Sequence, residues 1–313
     1  MTITGDGNGS GTAAVRAADL AQAMFTDAAV ESGQEPTVVL THEPGADLVG
    51  RREAFRPVYD AIVGRIGAPT LLGGAAYGPS VRWSTRERTL LLRGDHERVA
   101  LSVYDSWALG KQEWSVFDGG LRSGPDGEHR LGDLPYTWQL DRKGPGEESA
   151  WTFNGTPVAG SWAHAESALE LMLASWAEQI PVQAPGDWVG FKLWNAREWG
   201  RSMILSYTHE DEGCEFHIAI DDRGREQTPQ WQTRMRERGW QKLDEHGWWR
   251  AEFAETDPRA PRVLARLAIA EERARGATCP DELRAWDISA GDDGDLWAPG
   301  IGVPTHPSRG EHC

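Results

Sequence analysis

TPQWQTRMRERGWQKLDEHGWWRAEF, residues 228–253, reads as a helix, a stop and two strands joined by a short polar loop. Thr228 before Pro229 offers an N-cap hydroxyl followed by a first-turn proline, whose missing N–H has no helical acceptor in any case. Gly239 suits the left-handed position that closes a helix. Residues 240–243 and 248–253 flank Asp244-Glu245-His246-Gly247, a loop of hairpin length and composition.

Upstream of this passage, Ser161 is a plausible N-cap. Ala168, Leu169, Met172, Leu173, Trp176 and Ile180 follow at helical spacing, and Pro181 is expected to end that helix. Three strands come next. Val189, Phe191 and Leu193 alternate with Trp188, Lys192 and Trp194. Met203, Leu205 and Tyr207 alternate with Ser202 and Ser206, and Phe216, Ile218 and Ile220 alternate with Glu215, His217 and Asp221. Downstream, Asp257-Pro258 is expected to cap a last helix that runs to Gly276. The second half therefore has the order α-β-β-β-α-β-β-α.

The first half begins with an Ala-rich helical pattern over 13–30, carrying Val15, Leu20, Met24 and Phe25, and a short extended run over 37–41. From Glu53 onward Phe55, Val58, Tyr59, Ile62, Val63 and Ile66 form one apolar stripe, which Gly67 ends. Strand patterns over 80–83, 89–93 and 99–104 make a meander, with Gly94-Asp95 turning between the last two. Between 119 and 160 the chain is rich in Gly, Pro, Asp and Glu, apart from an apolar island at 134–140. The expected organisation is a flexible start (1–12), an α+β domain (13–140), a linker (141–160), a second α+β domain (161–289) and a C-terminal tail (290–313). The fold class is α+β, with antiparallel sheets packed against helices.

The element order over 161–276, and above all the 228–253 passage, resembles the TY-Chap domains, the group that contains type III secretion chaperones and YbjN-like proteins. That resemblance implies binding of extended or partly helical peptide segments on a sheet face or edge, often as a dimer and without catalysis. The helix and meander of the first half are of similar style, which leaves open a divergent second copy.

Composition limits the partners. The 313 residues are 39% hydrophobic and 26% charged, ordinary usage for a folded chain of two domains. A formal net charge of -16, with no local run of Lys and Arg, argues against nucleic acid and anionic membrane surfaces. Cys214, Cys279 and Cys313 are too few and too widely spaced for a disulfide framework or zinc knuckle, which fits a reducing cytoplasm. The polar, Gly-rich start lacks the features of a secretion signal, and no apolar run approaches a membrane span.

If Val189, Phe191 and Leu193 face the core, then Trp188, Lys192 and Trp194 face away from it. Tryptophan supplies large, rigid contact area, so these three residues are the candidate peptide-binding surface, joined by Trp240 and Trp248. With sixteen Trp in the chain most belong to cores, and Trp176, Trp249 and Trp286 are assigned there.

Other polar clusters do not carry chemistry. His209-Glu210-Asp211-Glu212, near Cys214 and His217, lacks HExxH spacing and reads as a solvated hairpin turn. The run from Gly291 to Asp295 lacks the twelfth-position Glu of a calcium loop. Gly5, Gly7, Gly9 and Gly11 form a ladder with no preceding strand and no Lys-Ser or Lys-Thr after it, so it is no phosphate cradle. No catalytic residue, cofactor or metal ligand is indicated. The sequence reads as a non-catalytic, chaperone- or adaptor-like module for a polypeptide partner, with a homodimer possible. Two alternatives stand beside it: an acidic immunity-type inhibitor of a toxin enzyme, which a single acidic patch would favour, and an enzyme whose site assembles in space, which a deep pocket of convergent polar groups would favour.

Overall fold

A computed structural model describes residues 10–26, 33, 35–118, 134–142, 158–195, 202–210, 213–223, 225–243, 247–254, 256–291 and 294–305. The fold is α+β, with two antiparallel sheets packed against helices.

The first half comprises α1 (Ser10–Thr26), β1 (Thr37–Thr41), α2 (Leu48–Ile66), β2 (Leu72–Ala75), β3 (Gly78–Ser84), β4 (Arg88–Gly94), β5 (Arg98–Asp105), α3 (Ser106–Asp118) and β6 (Trp138–Asp141). α2 starts five residues earlier than its apolar stripe suggests, because Asp47 caps it by accepting from the Gly50 N–H at 2.8 Å. The meander pairs Leu90 with Trp83 on one side and Val103 on the other. Asp95 closes the β4–β5 turn, accepting from the N–H groups of Glu97 and Arg98 at 2.8 and 2.9 Å. α3 has no apolar stripe in the sequence because its buried face, Leu109, Glu113 and Phe117, contains a carboxylate in the middle. That carboxylate is buried because Arg82 of β3 pairs with it.

The second half comprises α4 (Trp162–Gln183), β7 (Trp188–Asn195), β8 (Ser202–Glu210), β9 (Gly213–Asp221), α5 (Pro229–Glu237), β10 (Gln241–Lys242), β11 (Trp248–Ala254), α6 (Ala260–Ala274), β12 (Leu283–Ala290) and β13 (Asp295–Trp297). From α4 to α6 the order is the expected α-β-β-β-α-β-β-α. Thr228 caps α5 as expected, accepting from the Trp231 N–H at 3.2 Å, and Gly239 takes the positive φ of 97° beyond its end. Asp257 does not cap α6. Arg259 occupies that position, and the Asp257 carboxylate instead accepts from the Arg259 N–H and guanidinium, closing a turn before the helix.

Pro181 does not end α4, which continues to Gln183. A proline inside a helix removes the donor to the carbonyl four residues earlier. Here that carbonyl, Ala177 O, accepts from Arg52 Nη1 at 3.4 Å, and Arg56 Nη1 donates to the Pro181 carbonyl at 3.0 Å. Two arginines of α2 thus fill the gap that the sequence of α4 leaves open.

Sheet order is β1-β5-β4-β3-β2-β6-β13 in the seven-stranded sheet and β10-β11-β9-β8-β7-β12 in the six-stranded one. The residues from 290 on are therefore not simply a tail: Asp295–Trp297 pairs with β6 and completes the first sheet. Most of the expected linker, 143–157, lies outside the described residues. α4 joins the two sheets. It packs against α2, β2 and β3 on one side and against α6 and β8 on the other; the main apolar core runs from Ala17 to Val303, with a smaller cluster at Phe117, Leu134, Tyr136 and Ala168. Trp176, Met172, Leu173 and Ile180 of α4 are wholly buried, and so is much of its polar side. Gln183 bonds the backbone of Gly73 in both directions, at 2.8 and 2.9 Å, and Ser175 accepts from Trp138 Nε1 at 2.9 Å. A Cβ on Gly74 would overlap both members of that last pair, so only glycine lets β2 lie this close to α4.

Candidate functional site

In the six-stranded sheet, strand alternation sends Val189, Phe191, Leu193, Met203, Leu205, Tyr207, Phe216, Ile218 and Ile220 inward, each at most 2% exposed. α4 and α6 cover that inner face. Among the described residues no helix packs on the outer face.

Register fixes what the outer face presents. Trp286, Lys192, Ile204, Ala219 and Arg250 lie in one cross-strand row. Gly190, Ser206, His217 and Glu252 form the next, and Trp188, Thr208, Glu215 and Ala254 the one after. Small side chains, Gly190, Ser206 and Ala219, occupy the middle. Trp188, Trp194 and Trp286 stand on the β7–β12 side and Trp248 on the β11 side. The result is a shallow trough between aromatic walls.

Trp188 is the most open of these, at 43% exposure, while Trp194, Trp248 and Trp286 are half-buried. Lys192 is bracketed by an ion pair to Asp287 at 2.5 Å and by the Trp286 ring, 4.7 Å from Nζ to the centroid. Arg223 lies over Trp248 at 5.2 Å and pairs with Asp221 at 2.7 Å. Arg250 pairs with Glu252 at 2.6 Å, and His217 lies 3.6 and 3.7 Å from Glu215 and Glu252. Charges of both signs alternate across the face, with no single-sign acidic patch among these residues.

The structure thus brings Trp188, Lys192, Trp194 and Trp248 onto one surface, but Trp240 does not join them. It follows α5 rather than occupying an outward strand position, is 1% exposed and donates Nε1–H to Glu271 at 3.2 Å. Trp176 and Trp249 are core residues as expected, whereas Trp286 belongs to the outer face. The segment Leu283–Ala290 hides its strand pattern because it bulges between Trp286 and Ser289, with Asp287 at a φ of 51°. The alternation of Leu283 and Ala285 (in) with Arg284 and Trp286 (out) was the available signal. The bulge matters locally, since it carries the carboxylate that holds Lys192.

β7 is not a free edge. β12 pairs along it, and β12 is itself bridged at Ala285 by Thr305. Main-chain addition beside Trp188 and Trp194 is therefore closed off. Unpaired main chain lies at the end of β11, where among the described strands 251–254 pairs only with β9.

His209 pairs with Cys214 and Glu210 with Gly213 across the β8–β9 hairpin, while Asp211 and Glu212 lie outside the described residues. Gly294 donates to the Gly291 carbonyl in a turn before β13, and Asp292 and Asp293 lie outside the described residues. The Gly ladder up to Gly9 lies outside them too. Among the described residues no group of three or more His, Cys, Asp or Glu is placed to hold a metal ion. Comparison with known proteins returns no match to a family model, to a curated protein or to a solved structure.

Proposed function

We propose that this chain is a non-catalytic polypeptide-binding protein of chaperone or adaptor type, and that the outer face of the six-stranded sheet is its binding surface. One observation carries the proposal: a sheet face left uncovered by the described helices presents Trp188, Trp194, Trp286 and Trp248 around a floor of small residues. Rigid aromatic anchors beside low, accessible ground are the features that concentrate binding energy at protein interfaces. The paired charges along the trough match a polypeptide of mixed polarity better than a strongly basic enzyme surface, so they favour this reading over an immunity-type inhibitor. No helix among the described residues is long and apolar enough to cross a membrane, and the proposed working place is the cytoplasm.

The test is affinity capture with wild type and with a Trp188→Ala, Trp194→Ala double variant whose fold is checked by circular dichroism. Captured polypeptides are identified by mass spectrometry, then purified and titrated. A defined partner, bound by wild type and weakened at least about tenfold in the folded variant, supports the reading. Binding indifferent to the change removes the face from consideration. Light scattering of the free protein distinguishes a partner of a different sequence from a second copy of this chain.

A further inference from the structure

A separate concavity lies on the outer face of the first sheet. It has a volume of about 610 Å³ and is walled by the β2–β3 and β4–β5 turns and the start of β1. That size falls within the range of small-molecule sites, roughly 300–1,000 Å³. Its floor is apolar: Leu91 and Ala100, on neighbouring strands, are 5% and 8% exposed. Tyr77 and Tyr104 add aromatic walls.

Two polar groups are left for a ligand. Ser102 lies opposite Leu91, is 6% exposed, and its hydroxyl makes no hydrogen bond to a described residue. That hydroxyl lines the cavity and can both donate and accept there. Arg93 makes one side-chain hydrogen bond, from Nη2 to the Leu134 carbonyl at 3.2 Å, and no carboxylate among the described residues pairs with it. Arg93 is an exposed residue that lines the cavity, and Glu113 and Asp95 act on its charge without forming an ion pair with it. Asp95, also in the lining, already closes the β4–β5 turn through Oδ1.

We propose that this cavity binds a small organic monocarboxylate, with the carboxylate on Arg93 and Ser102 and an apolar body lying over Leu91 and Ala100 between the tyrosines. The free guanidinium donors match a carboxylate in a two-pronged geometry. A multiply charged anion is disfavoured, because Asp95 and Glu35 balance Arg93 and Arg98 in the lining. This site is independent of the tryptophan-walled face and does not rest on the polypeptide-binding reading.

The test is calorimetric titration of the full chain with sodium 3-phenylpropionate and with its neutral amide. The expected result is saturable 1:1 binding of the acid, at least about tenfold weaker binding of the amide, and a similar loss in Arg93→Gln. Ser102→Ala, which removes a single oxygen, should weaken the acid about threefold and serves if Arg93→Gln does not fold. The Trp188→Ala, Trp194→Ala variant should bind as wild type does. Equal affinity for acid and amide, indifference to both cavity substitutions, or no saturation up to about 10 mM overturns the proposal.

Discussion

Arg82 and Glu113 form a two-pronged ion pair, Nη2 to Oε1 at 2.6 Å and Nη1 to Oε2 at 2.9 Å, with both side chains at most 5% exposed. This pair fastens α3 to β3, and the Tyr136 ring lies 5.1 Å from the guanidinium carbon. Removing one charge leaves the other buried and uncompensated. Glu113→Ala should cost about 3–5 kcal/mol in denaturant unfolding, whereas Arg82→Met with Glu113→Leu should recover most of that loss. Equal costs for the single and double variants would show the pair to be energetically idle.

Trp188 and Trp240 should respond in opposite ways. Trp240 is 1% exposed and fills core, so Trp240→Ala should destabilise by about 3–5 kcal/mol. Trp188 is 43% exposed, and Trp188→Ala should change stability by no more than about 0.5 kcal/mol. Thermal and urea melts of the two variants, side by side, check this contrast.

His42 should make the fold sensitive to mild acid. It is 6% exposed, and neither ring nitrogen has a hydrogen-bond partner. Burial, reinforced by the Arg51 charge and opposed by Asp95, lowers its pKa from 6.5 to about 4. The unfolded chain therefore takes up a proton that the folded chain refuses. This contribution to stability is whole above pH 6.5 and is lost as pH falls from 6.5 toward 4, up to roughly 3 kcal/mol. His42→Phe should flatten the difference between stability at pH 7 and at pH 4.5, as read from urea unfolding at each pH.

Gln183 should couple the two halves. Its side-chain amide satisfies both the N–H and the C=O of Gly73, so Gln183→Leu leaves two buried backbone groups without that partner. The expected cost is about 2–4 kcal/mol. Hydrogen exchange should accelerate first in β2 and β6, and unchanged protection there would mean that α4 holds the first sheet by apolar packing alone.

Where one side of an element was polar and the other apolar, its residues alone were enough to place it. The strands carrying Val189, Met203 and Phe216 fall where their alternation puts them, and the stripe from Phe55 to Ile62 faces the core. Elements whose buried face holds a charge or a glycine escaped that reading. α3 hides Glu113 in its buried face, β2 is built on Gly73 and Gly74, and β12 breaks its alternation at Asp287. At the candidate face, Trp188, Lys192, Trp194 and Trp248 were legible, while Trp286 and Asp287 were not.

Short-range chemistry explains the division. Capping by Ser161 and Thr228, the positive φ at Gly239, the alternation in β7 to β9 and the net charge of -16 depend on residues close together in the chain or on simple totals, so the sequence alone determined them. Only the tertiary structure decided that α2's arginines would carry α4 through Pro181, that residues 295–297 would close the first sheet, and that β12 would cover the edge of β7 while setting Trp286 and Asp287 around Lys192. Each of these joins residues far apart in the chain, and a long-range partner leaves no local periodicity by which to find it.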